Sequence, residues 1–570
     1  MELMKKLWIL LLVFALLMPN ALAAPDYLNM ESEFPLVHEG ENITLRIAAR
    51  QLDAGGGTVE DIWLYRYIEE TMNVQLEVEQ ILESALSERK NLMMASGDLP
   101  DIMLGFGFTP EELVRYGMGE SMLLPINEYF DYMPHLSAWM KEMPEIVSLI
   151  STPDGNAYTL PTIASEIGNI GQLGRLFINQ QWLEQAGMET PTTLEQFTAM
   201  LRTFKEQHPD CIPLAGGDEA VDPRYYILNA LGFLTIDPLG LTPCVRDGAA
   251  TIPAGDPLYE EYLSIMHQYY TEGLISEEFF TIDATSVRAQ IAQGEAGVIA
   301  EPAYLSLPAV EDFQNWWAVK PLTSAYHTQP QWLAADLITI GGFAISADTE
   351  YPELCARLLD FWFSDLGWIY TWNGPMAGSA DTFGMVSGWQ LSENGQLEYG
   401  DVANGTYASE WDYILANIAP WGTNARGNIA NSIGRPEIQR INYIQEMCGV
   451  EVTLSEYNMS NGDDHYRAAV QENLYPYAVS GFPTILYFTE DESIAINDLL
   501  SVIEPHAKSE TAKFITGVRA LEEFDDYLAE LEALGFSELL QYYTTAYENY
   551  QANLPGAVPS PSASSRRRLK

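Results

Sequence analysis

Three short stretches near the amino end set the architecture. "ITLRIAAR" (Ile43–Arg50) alternates apolar and polar residues, as a half-buried strand does. "DAGGGT" follows as a glycine-rich turn, and then Leu64, Ile68 and Met72 recur at helical spacing with Tyr67 beside them. "VQLEVEQ" alternates again, a helix is predicted through Arg89–Ala95 with Gly97 as its stop, and "DIMLGFGF" is a third, apolar strand. Strand, helix, strand, helix, strand is the signature of a parallel sheet covered by helices. Such sheets bind ligands beyond the carboxyl ends of their strands, which places "DAGGGT" and "GFGFTP" at a candidate site. Neither GxGxxG nor GKS/T is present, so the glycines read as a turn rather than a phosphate cradle.

The pattern restarts. "GRLFIN" is a strand and "QQWLEQAGM" a short helix stopped by Gly187. "PTTLEQF" opens another helix, with Thr193 as N-cap and Gln196 completing a capping box. "GEAGVIAEPAY" reads as a glycine turn, a strand and a break, "LITIGGFAIS" as a strand with a paired glycine interruption, and "ELCARLLDFWFS" as a strongly apolar helix. Near the end, Leu521, Phe524, Leu528 and Leu531 form one helical stripe. Ser537 then caps a helix striped by Leu540, Tyr543, Tyr547 and Tyr550, whose tyrosines read as a packing face. After Leu554 the chain turns to Pro, Ser, Ala and Gly, ending "SRRRLK", the composition of a disordered tail.

Destination and charge narrow the function. Lys5 and Lys6 precede the apolar run Leu7–Met18, and Ala21-Leu22-Ala23 supplies a cleavage site. The expected signal peptide is residues 1–23, giving an exported protein, extracellular, cell-surface or periplasmic. No cysteine follows the run to carry a lipid anchor. The 80 acidic and 28 basic residues leave a net charge of −52, which argues against nucleic-acid binding and against docking on anionic lipid. Cys211, Cys244, Cys355 and Cys448 are too few for a disulfide framework; Cys211 with Cys244 is a possible bridge, and buried thiols are the alternative. HExxH, HxH and EF-hand spacings are missing, so no metal and no cofactor is expected.

Several blocks together resemble the extracellular solute-binding proteins of family 1, the carbohydrate receptors of ABC importers. These are "SGDLPDIML", "DGNAYTLP", "LFINQQWLEQAGMETPTTLEQF", "GEAGVIAEPAY" and "GGFAISADTEYPELCARLLDFWFSDLG". "FITGVRALEEFDDYLAELEALGFSELLQYYTTAYENY" resembles the closing helices of the LipO-like branch. The resemblance runs from about Ile43 to Tyr550. It implies an α/β, two-lobed periplasmic-binding-protein-like fold (type II), each lobe a mostly parallel sheet flanked by helices, joined by crossover hinge segments. The expected division is lobe 1 over 40–160, lobe 2 over 168–340, a return to lobe 1 over 344–376, and lobe 2 again over 380–505. C-terminal helices over 506–553 and a tail over 554–570 complete it. Crossovers are expected at Thr159–Gly168, Ile340–Ala344 and Met376–Ser379. The implied partners are an oligosaccharide and ABC permease subunits, the implied state a monomer, and the implied chemistry non-catalytic.

A sugar offers an apolar C–H face and a polar rim, so a rigid aromatic beside an amide or charged group suits it. In "DLGWIYTWNGPMAG" (Asp365–Gly378), Trp372 and Asn373 stand just before a break and are the leading candidates. Phe106, Phe108, Tyr304, Trp316, Trp317, Trp332 and Trp421 are further platforms, each with a plain core role as its alternative. Trp63, Trp182 and Trp362 lie in helical patterns and read as core. Glu166 matches a position where maltose-binding relatives place a sugar-binding Glu, and Arg175 and Asp53 are further polar candidates. Arg175, Arg426 and Arg435 are the arginines considered for an acidic sugar. A secreted glycoside hydrolase, needing two carboxylates across a cleft, is the competing class. A peptide or other-solute receptor on the same fold is the third.

Overall fold

The structure is a computed structural model and describes residues 24–553 except 54–55, 164–174, 219–220, 236, 335–337, 392–396, 408–409, 419–446 and 448–457. The expected signal peptide, the expected tail, Glu166, Trp421, Arg426, Arg435, Cys448 and the side chain of Trp372 lie outside the described residues.

The amino-terminal alternation builds β1 (Thr44–Gln51), α1 (Trp63–Met72), β2 (Gln75–Leu82), α2 (Glu83–Ser96) and β3 (Ile102–Leu104). β1 pairs in parallel with both β2 and β3. α2 stops where the sequence said, at Gly97, whose φ of 73° suits glycine. β4 (Leu160–Ile163) then leads out of this sheet. The next elements are β5 (Phe177–Asn179), α3 (Leu194–Gln207), β6 (Ile212–Leu214), α4 (Arg224–Ala230), β7 (Ala296–Ile299), β8 (Trp316–Ala318) and β9 (Trp332–Leu333). The chain returns in β10 (Ile338–Ile345), which runs antiparallel between β3 and β4.

Two sheets result: β2-β1-β3-β10-β4, and β8-β5-β7-β6. Side-chain alternation splits the first lobe into layers. Leu45, Ile47, Ala49, Leu104, Phe343 and Ile345 enter a core on one face, while Ala48, Met103 and Ala344 enter another with Phe106 and Phe108. The second sheet has its own core, including Phe177, Leu214, Val298 and Tyr226. Thr193 caps α3 by accepting from the Gln196 amide at 3.2 Å. The Gln196 side chain reaches back to the amide of Thr192 instead, at 2.9 Å, so only half of the expected box forms.

The later boundaries need correction. Ile340–Ala344 is not a crossover, since it lies within β10, paired to β3 and β4. Gly341 serves a close approach instead. Its φ is 82°, its carbonyl accepts from the Phe108 amide at 2.9 Å, and a Cβ there would lie 2.0 Å from the Phe108 carbonyl oxygen. Met376–Ser379 does not leave the first lobe either. After α5 (Pro352–Asp360) and α6 (Asp365–Asn373), the hairpin β11 (Trp389–Leu391) and β12 (Leu397–Tyr399) and helix α7 (Glu410–Asn417) follow. Trp389, Tyr399, Tyr413 and Ile418 share a core with Leu45. Large apolar residues downstream of the glycines outweighed them as boundary markers.

The chain rejoins the second core in α8 (Gly462–Asn473), and β13 (Ala478–Val479) pairs with β9. Ile485 then touches the first core, and the Tyr487 hydroxyl donates to the Leu149 carbonyl at 2.9 Å. α9 (Glu490–Thr516) packs on the second core through Ile503 and Phe514, and α10 (Phe524–Ala533) and α11 (Phe536–Asn553) follow. Helical structure thus starts at Glu490, before the expected 506. Ser537 is no cap: it lies inside α11 and donates to Glu532 at 2.6 Å. Tyr543 and Tyr547 pack on Phe482, as the packing reading expected. Cys211, Cys244 and Cys355 are buried free thiols, and burial pushes Cys211 up to about 11. No described helix is long and apolar enough to cross a membrane.

Candidate ligand-binding site

Strand direction fixes where a ligand can sit. In the second lobe β6 and β7 are parallel, and β5 runs against β7 with Phe177 opposite Ile299. The residues just before β5 therefore share one end with those just after β6 and β7. That end carries Arg175, residues 215–218 and 221–223 before α4, and Glu301 to Tyr304.

These side chains are packed and polar. Arg175 is 4% exposed, with its guanidinium 4.4 Å from the centre of the Tyr466 ring, a cation–π distance. Tyr304, half-buried, meets Tyr466 edge-on at 6.4 Å. Tyr225, on α4, lies 6.2 Å from Trp332, which also tilts against Tyr226 at 4.9 Å. The Tyr225 hydroxyl and the Trp332 indole N–H are both buried and find no hydrogen-bond partner among the described residues. Burial pushes the Tyr225 phenol well above its usual range, so the group is a neutral donor at any working pH. A buried donor without an acceptor carries a desolvation penalty that a ligand oxygen would relieve.

The loop before Tyr225 is clamped. Arg224 is fully buried and pairs with Asp218 and Asp222; its Nε donates to Asp222 at 2.9 Å. Lys508 of α9 reaches Asp218 at 3.2 Å. Glu301 is likewise engaged, accepting from Arg288 at 2.9 Å and from Ser306. Among the described residues no cluster of three or more His, Cys, Asp or Glu is placed to hold a metal ion.

The sequence candidates separate. Arg175, Tyr304 and Trp332 stand in this second-lobe region. Trp316 and Trp317 do not, because the β8 register sets them opposite Asn179 and Ile178, away from Arg175. Trp316 is 3% exposed core, and Trp317 packs edge-on to His465. Phe106 and Phe108 are buried and stack on each other at 5.9 Å beneath the first sheet. Asn373 is fully buried, its amide donating to the Tyr399 hydroxyl at 2.9 Å, so it faces the first core rather than a ligand. Trp372 belongs to α6, and its side chain is outside the described residues. Asp53 is exposed and receives the Ser84 hydroxyl at 3.0 Å near the start of α2. Tyr225 and Tyr466 were missed. Nothing in "PRYYILN" or "HYRAAV" singles them out, and Tyr225 is marked by its buried hydroxyl, which has no partner among the described residues.

A sequence profile described as Bacterial extracellular solute-binding protein matches residues 54–365, more than half of the chain. The chain belongs to this family. Its type II two-lobed fold is shared by solved members. The fructooligosaccharide ABC transporter substrate-binding protein FusA of Streptococcus pneumoniae is 23% identical over 562 residues, covering 94% of this chain and 95% of FusA. The structure of FusA with kestose superposes with a TM-score of 0.65 at 21% identity, over 90% of this chain and all of that one. An HMO-binding solute-binding protein from Bifidobacterium longum infantis gives 0.68 at 17% identity, over 89% and 99%. The polygalacturonan/rhamnogalacturonan-binding protein YtcQ of Bacillus subtilis is 22% identical over 240 residues, 40% of this chain and 45% of YtcQ. At these identities the likeness to the solved structures is one of fold.

Proposed function

We propose that this solute-binding protein is an exported, monomeric receptor that captures an oligosaccharide between its lobes and hands it to an ABC permease, without catalysis. The observation that carries this is the second-lobe strand end: buried Arg175, Tyr225, Trp332 and Tyr466, with one phenol and one indole donor that have no acceptor among the described residues. Aromatic faces suit sugar C–H surfaces, and neutral donors suit hydroxyl oxygens. The near-full-length similarity to FusA supports the same ligand class. The end of β4 and the start of β10 are paired in the first sheet, Ile163 opposite Ile338, so the chain leaves and re-enters that lobe at adjacent points, an arrangement suited to hinge closure.

The test is a calorimetric and thermal-shift screen of short and long members of three classes: fructooligosaccharides, raffinose-type oligosaccharides and galacturonate oligomers. A ligand at 100 times its Kd adds about 2.7 kcal/mol of stability. Tyr225→Phe is expected to weaken binding roughly tenfold, the worth of one hydrogen bond, and to keep or raise the melting temperature of the free protein. Sugar released on incubation with any member, above a buffer control, overturns the non-catalytic reading.

A further inference from the structure

Residues 378–388, between α6 and β11, form an unusual exposed loop. Phe383 has a φ of 50°, a left-handed conformation disfavoured for an aromatic residue. The neighbourhood enforces it. The Ser379 hydroxyl accepts from the Asp381 amide at 3.0 Å, and the Phe383 amide donates to the Ala380 carbonyl at 3.2 Å. Asp381 is fixed from two sides: its carbonyl accepts from the Trp63 indole, and its carboxylate from the Tyr370 hydroxyl, both at 2.6 Å. Gly388 has no room for a side chain, since a Cβ would lie 2.7 Å from the Ala377 amide nitrogen.

This rigid frame presents apolar groups to solvent: Phe383 is 38% exposed and Met385 37%. Its position gives that exposure a use. Trp63 opens α1, directly after the loop that follows β1, so Asp381 sits at the carboxyl end of the first sheet. Gly57 of that same loop packs on the end of α7, where a Cβ would lie 2.2 Å from the Ala416 carbonyl oxygen. The loop thus borders the ligand end of the first lobe.

We infer that Phe383 and Met385 form an outer subsite that stacks on the apolar face of a sugar unit beyond those held by the second-lobe cluster. This rests on the oligosaccharide reading above. A preset ring loses little freedom on binding, and a flexible thioether adapts to different ring shapes. The only charged residue in the loop is Asp381, whose carboxylate already holds Tyr370. The subsite therefore senses chain length and a C–H face rather than ligand charge.

The experiment is calorimetric titration of the full chain with short and long members of each class in the screen. Phe383→Asn removes the ring while keeping a residue that tolerates left-handed backbone. It should weaken the long ligand about tenfold or more, leave the short ligand within twofold, and keep or raise the melting temperature. Phe383→Tyr should retain wild-type affinity for both, and Met385→Ala should give a smaller, length-dependent loss. Equal losses at both lengths, or none, overturn the subsite. Unchanged binding with impaired uptake in permease-bearing cells also overturns it, assigning the loop to the transporter. A wild type that binds no member of any class overturns the oligosaccharide reading itself, a result distinct from the others.

Discussion

Arg224 shows how strongly one side chain can hold the site. It is fully buried beside Asp218 and Asp222, and its guanidinium lies 5.3 Å from the Phe279 ring centre. Arg224→Met would keep the volume and leave Asp222 buried without its cation and Asp218 with Lys508 alone. Breaking a buried pair in this way costs about 3–5 kcal/mol. Chemical denaturation should register that loss, and binding should fall with it because Tyr225 is the next residue. The stretch "DPRYYILN" places Asp222 near Arg224, but nothing in it reports that both are buried together with Asp218. The tryptophans show the converse. Trp63 and Trp362 are buried as their helical spacing implied, and Trp368 is 1% exposed core. Periodicity reports burial well, but it does not separate a core ring from one beside a ligand.

Among the elements, the start of the helix Pro134–Glu142 is tied to the end of α5 by one carboxylate. Asp360 accepts from the amides of His135 at 3.1 Å and Leu136 at 2.8 Å, and its Oδ2 lies 2.7 Å from His135 Nδ1. The hydrogen bond to Asp360 holds the His135 pKa above its ordinary value, with Glu33 and Asp365 adding negative potential and burial opposing. A histidine raised in the folded state stabilises most below its unfolded pKa, about 6.5, and this contribution fades as pH rises through the folded value. Melting curves from pH 5.5 to 8.5 should show that decline, and His135→Gln should flatten it. Asp360→Asn should be more destabilising than His135→Gln, because the paired amides also lose a charged acceptor. The strands and caps here were legible beforehand: β1, β2, β3, the Gly97 stop and the Thr193 cap are local signals. The crossovers were not. Glycine marks where backbone can turn, as at Gly341, and that use is shared by a hinge and by a close packing contact within a sheet.

For the whole molecule, 80 acidic and 28 basic residues make self-repulsion a general term. Raising monovalent salt from about 10 to 150 mM shortens the Debye length from about 30 to 8 Å, so the melting temperature should rise over that range. A fall would mean that exposed pairs such as Arg89–Glu79 and Arg202–Glu272 outweigh the net charge. The sequence by itself determined the α/β class, the two repeats of strand and helix, and the burial of helix positions such as Trp63, Trp182 and Trp362. Each of these follows from periodicities of 2 and 3.6 residues, which a local stretch carries in full. Only the tertiary structure decided that Trp389, Tyr399, Tyr413 and Ile418 stay with the first lobe, and that Trp316 and Trp317 stand away from Arg175. It alone left the donors of Tyr225 and Trp332 without partners among the described residues. Those facts depend on sheet register and on contacts between residues far apart in the chain, such as Trp332 with Tyr225 and Asp381 with Trp63, and no local pattern encodes such pairings.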